Sequence, residues 1–160
     1  MRLIVAAVGR LKSGAERPLF EKYRERCEAT ARPIGIAPIA WHEVAESRAS
    51  SPARRRGEEG AALLQLLRSC DPMIALDQSG KMLTSVAFAQ LIGATRDGGA
   101  KALGMMLGGA DGLASQAVRA ARLTLSFGAI TLPHQLARIV LAEQLYRAVT
   151  ILAGHPYHRD

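Results

Sequence analysis

Side chains suited to base recognition and proton transfer gather at the carboxyl end of the sequence. Tyr157 can stack on a base, His158 can exchange a proton near neutral pH, and Arg159 can hold a phosphate. His155 and His158 also resemble a metal pair, but such a site needs a further ligand nearby, and we predict no metal. His134, just before the last predicted helix, is by itself typical of a capping or packing residue.

Three glycine-bearing segments, at residues 76–80, 107–112 and 127–133, form a second group of candidates. Each follows a predicted strand, and ligands of open parallel α/β sheets bind beyond the carboxyl ends of the strands. Glycine lets a ligand approach the backbone there. The turn at 108–112 matches neither G-x-G-x-x-G nor a Walker P-loop, which needs a lysine and a hydroxyl. A tight turn with positive φ explains any one of these segments equally well.

The elements that would position these residues are five short strands alternating with helices. Continuous apolar runs and glycine-rich turns predict strands at 3–8, 34–44, 73–77, 102–107 and 123–127. Helix patterns alternate with these strands. Three of them begin near residue 17, at residue 52 and near residue 85, and two more cover residues 115–123 and 135–153. This alternation predicts an α/β sandwich with a parallel sheet, and the length predicts a single domain, residues 1–160.

Local signals predict several boundaries of these elements. Ser13 has capping-box spacing with Glu16, and Ser51 precedes a proline at the first helical position. Thr84 or Ser85 can cap the third helix, and Gly154 can end the last one. A proline at position 38 predicts an edge strand or a bulge.

The last predicted helix is apolar on more than one side, whereas one stripe is enough to cover a sheet. The apolar positions are Leu136, Ile139, Val140, Leu141, Leu145, Val149 and Leu152. Either a symmetric partner helix covers the second side, or the helix is buried deep in a single core.

Composition narrows the class of partner and the compartment. The 160 residues carry a formal net charge of +7, which suits an anionic partner such as nucleic acid. The run Arg54-Arg55-Arg56 is either a solvated helix start or a phosphate contact. Cys27 and Cys70 lack zinc or disulfide spacing, which fits a reducing cytosol. We see neither a signal peptide nor an apolar run of about 20 residues, so we expect a cytoplasmic protein without membrane contact.

The combined motifs resemble the SPOUT-class 23S rRNA (pseudouridine-N3)-methyltransferases. The resemblance covers essentially the full length, and its carboxyl-terminal motifs are highly specific together. They are Gly108-Gly109-Ala110-Asp111-Gly112-Leu113, Thr131-Leu132-Pro133-His134-Gln135-Leu136-Ala137-Arg138, Glu143-Gln144-Leu145-Tyr146-Arg147-Ala148 and His155-Pro156-Tyr157-His158-Arg159, with support from Leu3-Ile4-Val5-Ala6-Ala7-Val8-Gly9 and Leu76-Asp77-Gln78-Ser79-Gly80-Lys81.

This resemblance implies a fold, a cofactor and a substrate. The fold is an α/β sandwich whose carboxyl-terminal segment is threaded into a deep trefoil knot, a path that physical reasoning alone would not suggest because threaded chains are rare. The family implies a homodimer that transfers a methyl group from S-adenosyl-L-methionine. Its substrate is N3 of a pseudouridine in a stem-loop of the large-subunit rRNA within the assembled ribosome. Carried over by position, the cofactor-binding residues are Leu76, Gly108, Gly109, Phe127, Gly128, Ala129, Ile130, Thr131 and Leu132.

Methylation at N3 requires that the nitrogen lose its proton and face the methyl group in line. Positive charge nearby favours the anion, and Arg138, Arg147 and Arg159 are candidates to supply it. His158 is our first candidate for the proton acceptor and His134 the second, while Tyr157 would stack on or position the base. Alternatively, the tail only docks onto the partner subunit.

Three other functions compete with this one. A non-catalytic RNA-binding module would share the basic charge but bind no methyl donor. A nucleotide-phosphate enzyme could use the turn at 108–112, although the Walker lysine is missing. A related methyltransferase could act on tRNA or on another rRNA atom, and only the tail motif speaks against it.

Overall fold

A single parallel β-sheet forms the centre of the fold in the computed structural model, which describes residues 1–158. Its five strands lie in the order β2-β1-β4-β3-β5. The strands are β1 (Arg2–Val8), β2 (Ile39–Val44), β3 (Met73–Met82), β4 (Ala102–Leu107) and β5 (Leu123–Ser126). Every neighbouring pair is parallel, which confirms the predicted α/β class.

Helices cover both faces of this sheet. They are α1 (Glu16–Ala31), α2 (Pro52–Leu67), α3 (Ser85–Asp97), α4 (Ser115–Ala120) and α5 (His134–Leu152), with one turn of 3-10 helix at Arg32–Ile34. One core cluster joins the sheet to α1, α3 and α5, a second joins it to α2 and α4, and a small third one lies between α1 and α5. None of the helices within residues 1–158 is long and apolar enough to cross a membrane.

Strand β4 shows why a continuous apolar run predicts a central strand. All six of its residues are buried, because helices cover the sheet on both sides. Leu103 and Met105 pack into the cluster on the α1, α3 and α5 side, while Met106 packs into the cluster on the other side. Successive side chains of a strand point to opposite faces, so both faces must be apolar here.

Two of the predicted helix caps are confirmed and one is wrong. The Ser51 hydroxyl accepts a hydrogen bond from the Arg54 amide, and the Thr84 hydroxyl accepts one from the Ala87 amide. The residue that caps α1 is Ala15, without a side-chain hydrogen bond, so the Ser13 capping box does not form. β2 lies at an edge of the sheet, as the proline at position 38 predicted.

Strand β3 is longer than the sequence predicted. The expected turn at 78–81 belongs to the strand, and the register against β5 shifts so that both Leu76 and Lys81 pair with Leu125. Gly80 makes this possible because its α-carbon lies directly against the backbone of β5: a Cβ there would be 2.6 Å from the Leu125 carbonyl carbon. The close passage of these two segments is compatible with the trefoil knot, which stays a prediction.

The apolar surplus of α5 is explained mostly by burial inside one chain. Leu141, Leu145 and Val149 are fully buried between the sheet, α1 and α3. Leu136 is the large apolar side chain of α5 that remains exposed to solvent, at 44%. The second of the two sequence-based interpretations therefore accounts for most of the pattern. The helix α4 is also shorter than predicted, ending at Ala120.

Replacing Gly80 by alanine should destabilise the fold by about 1–3 kcal/mol, because the added methyl group must displace the backbone of β5. Gly57→Ala is the matched control: Gly57 lies in α2, and the added carbon meets no atom within 4 Å apart from its chain neighbours and the backbone of its own helix. That change should stabilise the protein by about 0.5–1 kcal/mol. Urea denaturation measures both, and equal effects would contradict the close approach at Gly80.

Candidate active site

Residues 76–78 of β3 and the loops after β4 and β5 border one cleft of about 670 Å³. They lie together because the three strands are parallel and adjacent in the sheet, and Leu76 pairs with both Leu107 at the end of β4 and Leu125 near the end of β5. A volume of this size accommodates a molecule as large as a nucleoside with a side chain. The three glycine-bearing segments of the sequence therefore form one site.

The loop after β4 is tightly packed at two of its glycines. A Cβ on Gly108 would lie 2.6 Å from the carbonyl carbon of Gly112, and a Cβ on Gly109 would lie 3.1 Å from the Glu59 carboxylate. The Gly112 amide donates a 3.0 Å hydrogen bond to the Gly109 carbonyl, and Gly112 has a positive φ of 81°. The main chain of this loop thus forms a wall of the cleft.

An ion pair ties this loop to helix α2. Arg55 donates to both carboxylate oxygens of Asp111, over 2.6 and 3.2 Å, and to the Ala49 carbonyl over 3.1 Å. The hydrogen bond from Arg55 lowers the pKa of Asp111, so this carboxylate stays ionised at neutral pH. Arg56, the next residue, lies on the rim of the cleft, while Arg54 is exposed. The three arginines of this run therefore have different surroundings: one forms an ion pair, one borders the cleft and one is exposed to solvent.

The loop after β5 forms the opposite wall. The Ser126 hydroxyl accepts a hydrogen bond from the Gly128 amide and donates one to the Gly128 carbonyl. This small turn requires a positive φ of 122° at Gly128, a conformation that favours glycine. Beyond it, the Ile130 side chain is 82% exposed at the rim.

Eight of the nine residues that the resemblance implied for the cofactor border this cleft. They are Leu76, Gly108, Gly109, Phe127, Gly128, Ile130, Thr131 and Leu132. Ala129 belongs to the same loop but does not line the cleft, and Phe127 follows β5 rather than belonging to it. Their role in binding stays a prediction, whereas their convergence is a feature of the fold.

Two of the six candidate catalytic residues lie at the first turn of α5, beside the cleft. His134 borders the cleft. Arg138 is only 2% exposed and donates hydrogen bonds to the Val8 and Gly9 carbonyls and to the Glu43 carboxylate. Burial lowers the pKa of its guanidinium, which the Glu43 carboxylate partly offsets. Arg138 therefore fixes α5 to the ends of β1 and β2.

The remaining described candidates form a separate cluster near the other end of α5. The Tyr157 hydroxyl donates a 3.1 Å hydrogen bond to Glu143, and its ring packs 4.5 Å from the ring of Tyr146. The Arg147 guanidinium lies 5.0 Å from the Tyr157 ring centre, and an Arg147 nitrogen lies 3.5 Å from His158 Nδ1. Arg159 lies outside the described residues.

The surroundings raise the pKa values of two residues in this tail cluster, Tyr157 and Arg147. Burial, and then the hydrogen bond with Glu143, raises the pKa of Tyr157 to about 12, so its phenol remains protonated at neutral pH. The same glutamate raises the pKa of Arg147. Tyr157 can therefore donate a hydrogen bond or stack, but it does not accept a proton from a substrate near neutral pH.

The tail cluster and the cleft lie far apart on one chain. Glu143 and Arg147 follow His134 by nine and thirteen residues in the same helix, which corresponds to about 14 and 20 Å along the helix axis. The five described candidates, which sequence reasoning placed in one mechanism, thus occupy two places in the structure.

Sequence reasoning missed the contacts that hold the cleft together. The pairing of Arg55 with Asp111 joins residues 56 positions apart, and only the arginine run and the acidic residue within a glycine turn hinted at it. The buried Glu59 under Gly109 left no signal, because it lies among other charged residues of α2. No group of three His, Cys, Asp or Glu side chains within residues 1–158 is placed to bind a metal ion.

Comparison with known proteins finds a family whose model matches almost the whole chain. The family described as "Predicted SPOUT methyltransferase" matches residues 1–158. The chain is 52% identical to "Ribosomal RNA large subunit methyltransferase H" of Xanthobacter autotrophicus over 99% of both chains. It is 49% identical to the protein of the same name from Methylocella silvestris over the full length of both.

Solved structures support the fold at much lower sequence identity. A probable methylase family protein from Haemophilus influenzae aligns with a TM-score of 0.55 and 9% identity, over 99% of this chain and 70% of that one. A probable methyltransferase from Bordetella pertussis aligns with a TM-score of 0.50 and 14% identity, over 92% and 95%.

If the bond from Arg55 to Asp111 holds the glycine loop in place, Arg55→Gln should weaken the binding of S-adenosyl-L-methionine by about two- to fivefold, as expected for a partly exposed ion pair. Arg54→Gln removes the same charge one residue earlier, from an exposed side chain, and should leave the affinity unchanged. Calorimetric titration measures both. Equal loss in the two variants would show that net charge, rather than the loop, controls binding.

Proposed function

Because this chain belongs to the SPOUT methyltransferase family, we propose that it transfers a methyl group from S-adenosyl-L-methionine to the RNA of the large ribosomal subunit. The target within that RNA is N3 of a pseudouridine, as the resemblance of the carboxyl-terminal motifs implies. The observation that carries the proposal is the convergence of three glycine-bearing segments on one cleft.

The lining of the cleft fits the proposed cofactor. Leu76, Leu107 and Leu132 offer apolar surface to an adenine ring, and the exposed Ile130 adds apolar surface at the rim. The main chain of the loops at 108–112 and 127–132 borders the cleft, and the glycines there let the ribose and the amino-acid part approach it. The bound cofactor supplies a methyl group on a positively charged sulfur.

Within this function, the residues of the chain hold the reactants and manage the proton. Arg138 is a positioning residue, because its guanidinium is buried and its hydrogen bonds go to the ends of β1 and β2. Arg147 and Arg159 supply positive charge toward the RNA, which favours the deprotonated nitrogen. Tyr157, protonated at neutral pH, contacts the base by stacking or by donating a hydrogen bond.

The separation of cleft and tail supports a homodimer with shared sites. Arg147 lies about 20 Å along α5 from His134, so the tail of one chain does not reach the cleft of the same chain as it is folded here. A two-fold dimer that pairs the α5 helices in opposite directions brings each tail to the partner's cleft. Leu136, exposed at the cleft end of α5, is available for that contact.

The charge of the chain supports an RNA substrate that is already folded. A net charge of +7 attracts phosphate, and aromatic residues make up only 4% of the sequence, so recognition relies on shape and backbone more than on stacking. A chain of this size fits a preformed surface of the ribosome, and the reaction would take place in the cytoplasm. Naked rRNA should therefore be a poor substrate.

The direct test uses large subunits from cells that lack this protein. Incubation with the purified protein and labelled S-adenosyl-L-methionine should add one methyl group per subunit, and mass spectrometry of rRNA fragments should place it on a pseudouridine. A protein that binds the cofactor but methylates neither subunits nor free rRNA would contradict the proposal. A protein that binds RNA and no cofactor would instead be an RNA-binding module.

Mixing two inactive variants tests the shared site. Ala110→Trp fills the cleft from an exposed loop position, and Tyr157→Ala combined with His158→Ala removes the tail groups. Random exchange of subunits should restore about one quarter of the activity, because half of the dimers are mixed and each contains one complete site. No restoration, despite mixed dimers detected by mass spectrometry, would place cleft and tail of one chain in the same site.

A further inference from the structure

Three segments of the chain meet at Gly9, next to the cleft. Gly9 follows β1, Glu46 follows β2, and His134 begins α5. The position that a Cβ on Gly9 would occupy lies 2.8 Å from Glu46 Oε1 and 3.5 Å from His134 Nε2. Only a glycine, here with a positive φ of 87°, leaves room for the carboxylate and the imidazole to approach each other at this point.

The surroundings fix the main chain of His134 but leave the Glu46 carboxylate mobile. Arg138, four residues after His134 on the same face of α5, donates a 2.8 Å hydrogen bond to the Gly9 carbonyl. That bond sets the distance between the first turn of α5 and the end of β1, and with it the position of His134. Glu46 is exposed, so rotation of its side chain can bring the carboxylate to the ring.

Glu46 is the carboxylate available for this contact, whereas the neighbouring Glu43 is already engaged. Oε1 of Glu43 accepts hydrogen bonds from the Leu11 amide at 2.7 Å and from Arg138 at 2.9 Å. Within residues 1–158, neither the Glu46 carboxylate nor the His134 ring has a hydrogen bond or an ion pair with another side chain. Arg138 is the buried cation of this region, and its hydrogen bonds point to β1 and Glu43.

We propose that His134 accepts the proton of the target nitrogen and that Glu46 is the positioning residue that orients the His134 ring and stabilises its protonated form. The nitrogen forms a bond to the methyl carbon while the bond from that carbon to sulfur breaks and leaves its electron pair on sulfur. The proton from the nitrogen goes to His134, and from there to solvent. This assignment rests on the proposed function and specifies the proton acceptor within it.

Chemistry favours a carboxylate beside a histidine in this role. A carboxylate that accepts a hydrogen bond from one ring nitrogen keeps the other nitrogen free to take a proton, and it stabilises the imidazolium that results. His134 borders the cleft on the chain whose loops form it, and Glu46 follows β2 of that same chain. The acceptor and its orienting group therefore come from the chain that holds the cleft.

The experiment measures single-turnover methylation of large subunits at saturating S-adenosyl-L-methionine for the wild type and for Glu46→Gln, Glu46→Asp, His134→Asn and the double variant Glu46→Gln with His134→Asn. Glu25→Gln is the matched control, because Glu25 is an exposed carboxylate of α1 with no hydrogen bond or ion pair within residues 1–158. Calorimetry checks that each variant binds the cofactor, and sedimentation checks that each has the mass of the wild type.

At neutral pH, His134→Asn should lower the rate about 100-fold and Glu46→Gln about tenfold, with unchanged cofactor affinity. Glu46→Asp should recover part of the loss. The double variant should be no slower than His134→Asn, because Glu46 acts through His134. In alkaline buffer both defects should shrink, since the target nitrogen then loses its proton without help from the protein.

Several results would overturn the assignment. One is a Glu46→Gln rate equal to that of Glu25→Gln, and another is a double variant in which the two losses multiply. A loss of rate that has the same size at all pH values would also exclude it. So would a change in the sedimentation mass of a Glu46 variant, because it would show that Glu46 holds the partner's tail. If the wild type is active and any of these results is found, only this assignment is wrong. If the wild type is inactive, the proposed function is wrong as well.

Discussion

The buried guanidinium of Arg138 is the contact on which the arrangement of the site depends. It joins the carboxyl ends of β1 and β2 to the first turn of α5, through the carbonyls of Val8 and Gly9 and the carboxylate of Glu43. A cation with 2% exposure is costly to bury, and burial lowers the pKa of this guanidinium. Its Nε has no hydrogen-bond partner within residues 1–158, so the contact is retained despite an incomplete set of bonds.

The position of α5 controls both ends of the proposed chemistry. Its first turn supplies His134 and Ala137 to the cleft, and its far half supports the tail through Glu143, Tyr146 and Arg147. Hydrophobic burial against α1 and α3 stabilises the helix as a whole but does not specify its position along its own axis. Directional hydrogen bonds to fixed carbonyls do, since their strength falls steeply with distance and angle.

The sequence predicted best those features that depend on neighbouring residues. Strand β4 has the predicted bounds, and Ser51 caps α2, because a continuous apolar run and a serine before proline act locally. The order of strands in the sheet was not predictable, since it depends on crossovers that no local pattern encodes. The extension of β3 through Gly80 was missed because the contact that decides it, with Leu125, is 45 residues away.

The roles of the candidate residues were harder to predict than their positions in the fold. Arg138 resembles any solvent-facing arginine of an amphipathic helix, yet the carbonyls that bind it lie about 130 residues earlier. The family resemblance predicted that the cofactor loops form one site. It did not predict that the tail of the same chain lies away from that site. Distance along a rigid helix does separate them, because 13 residues of α5 span about 20 Å whatever the side chains are. A site that needs groups from both ends of α5 therefore needs two copies of the chain. Dimer formation is thus a condition of the proposed reaction.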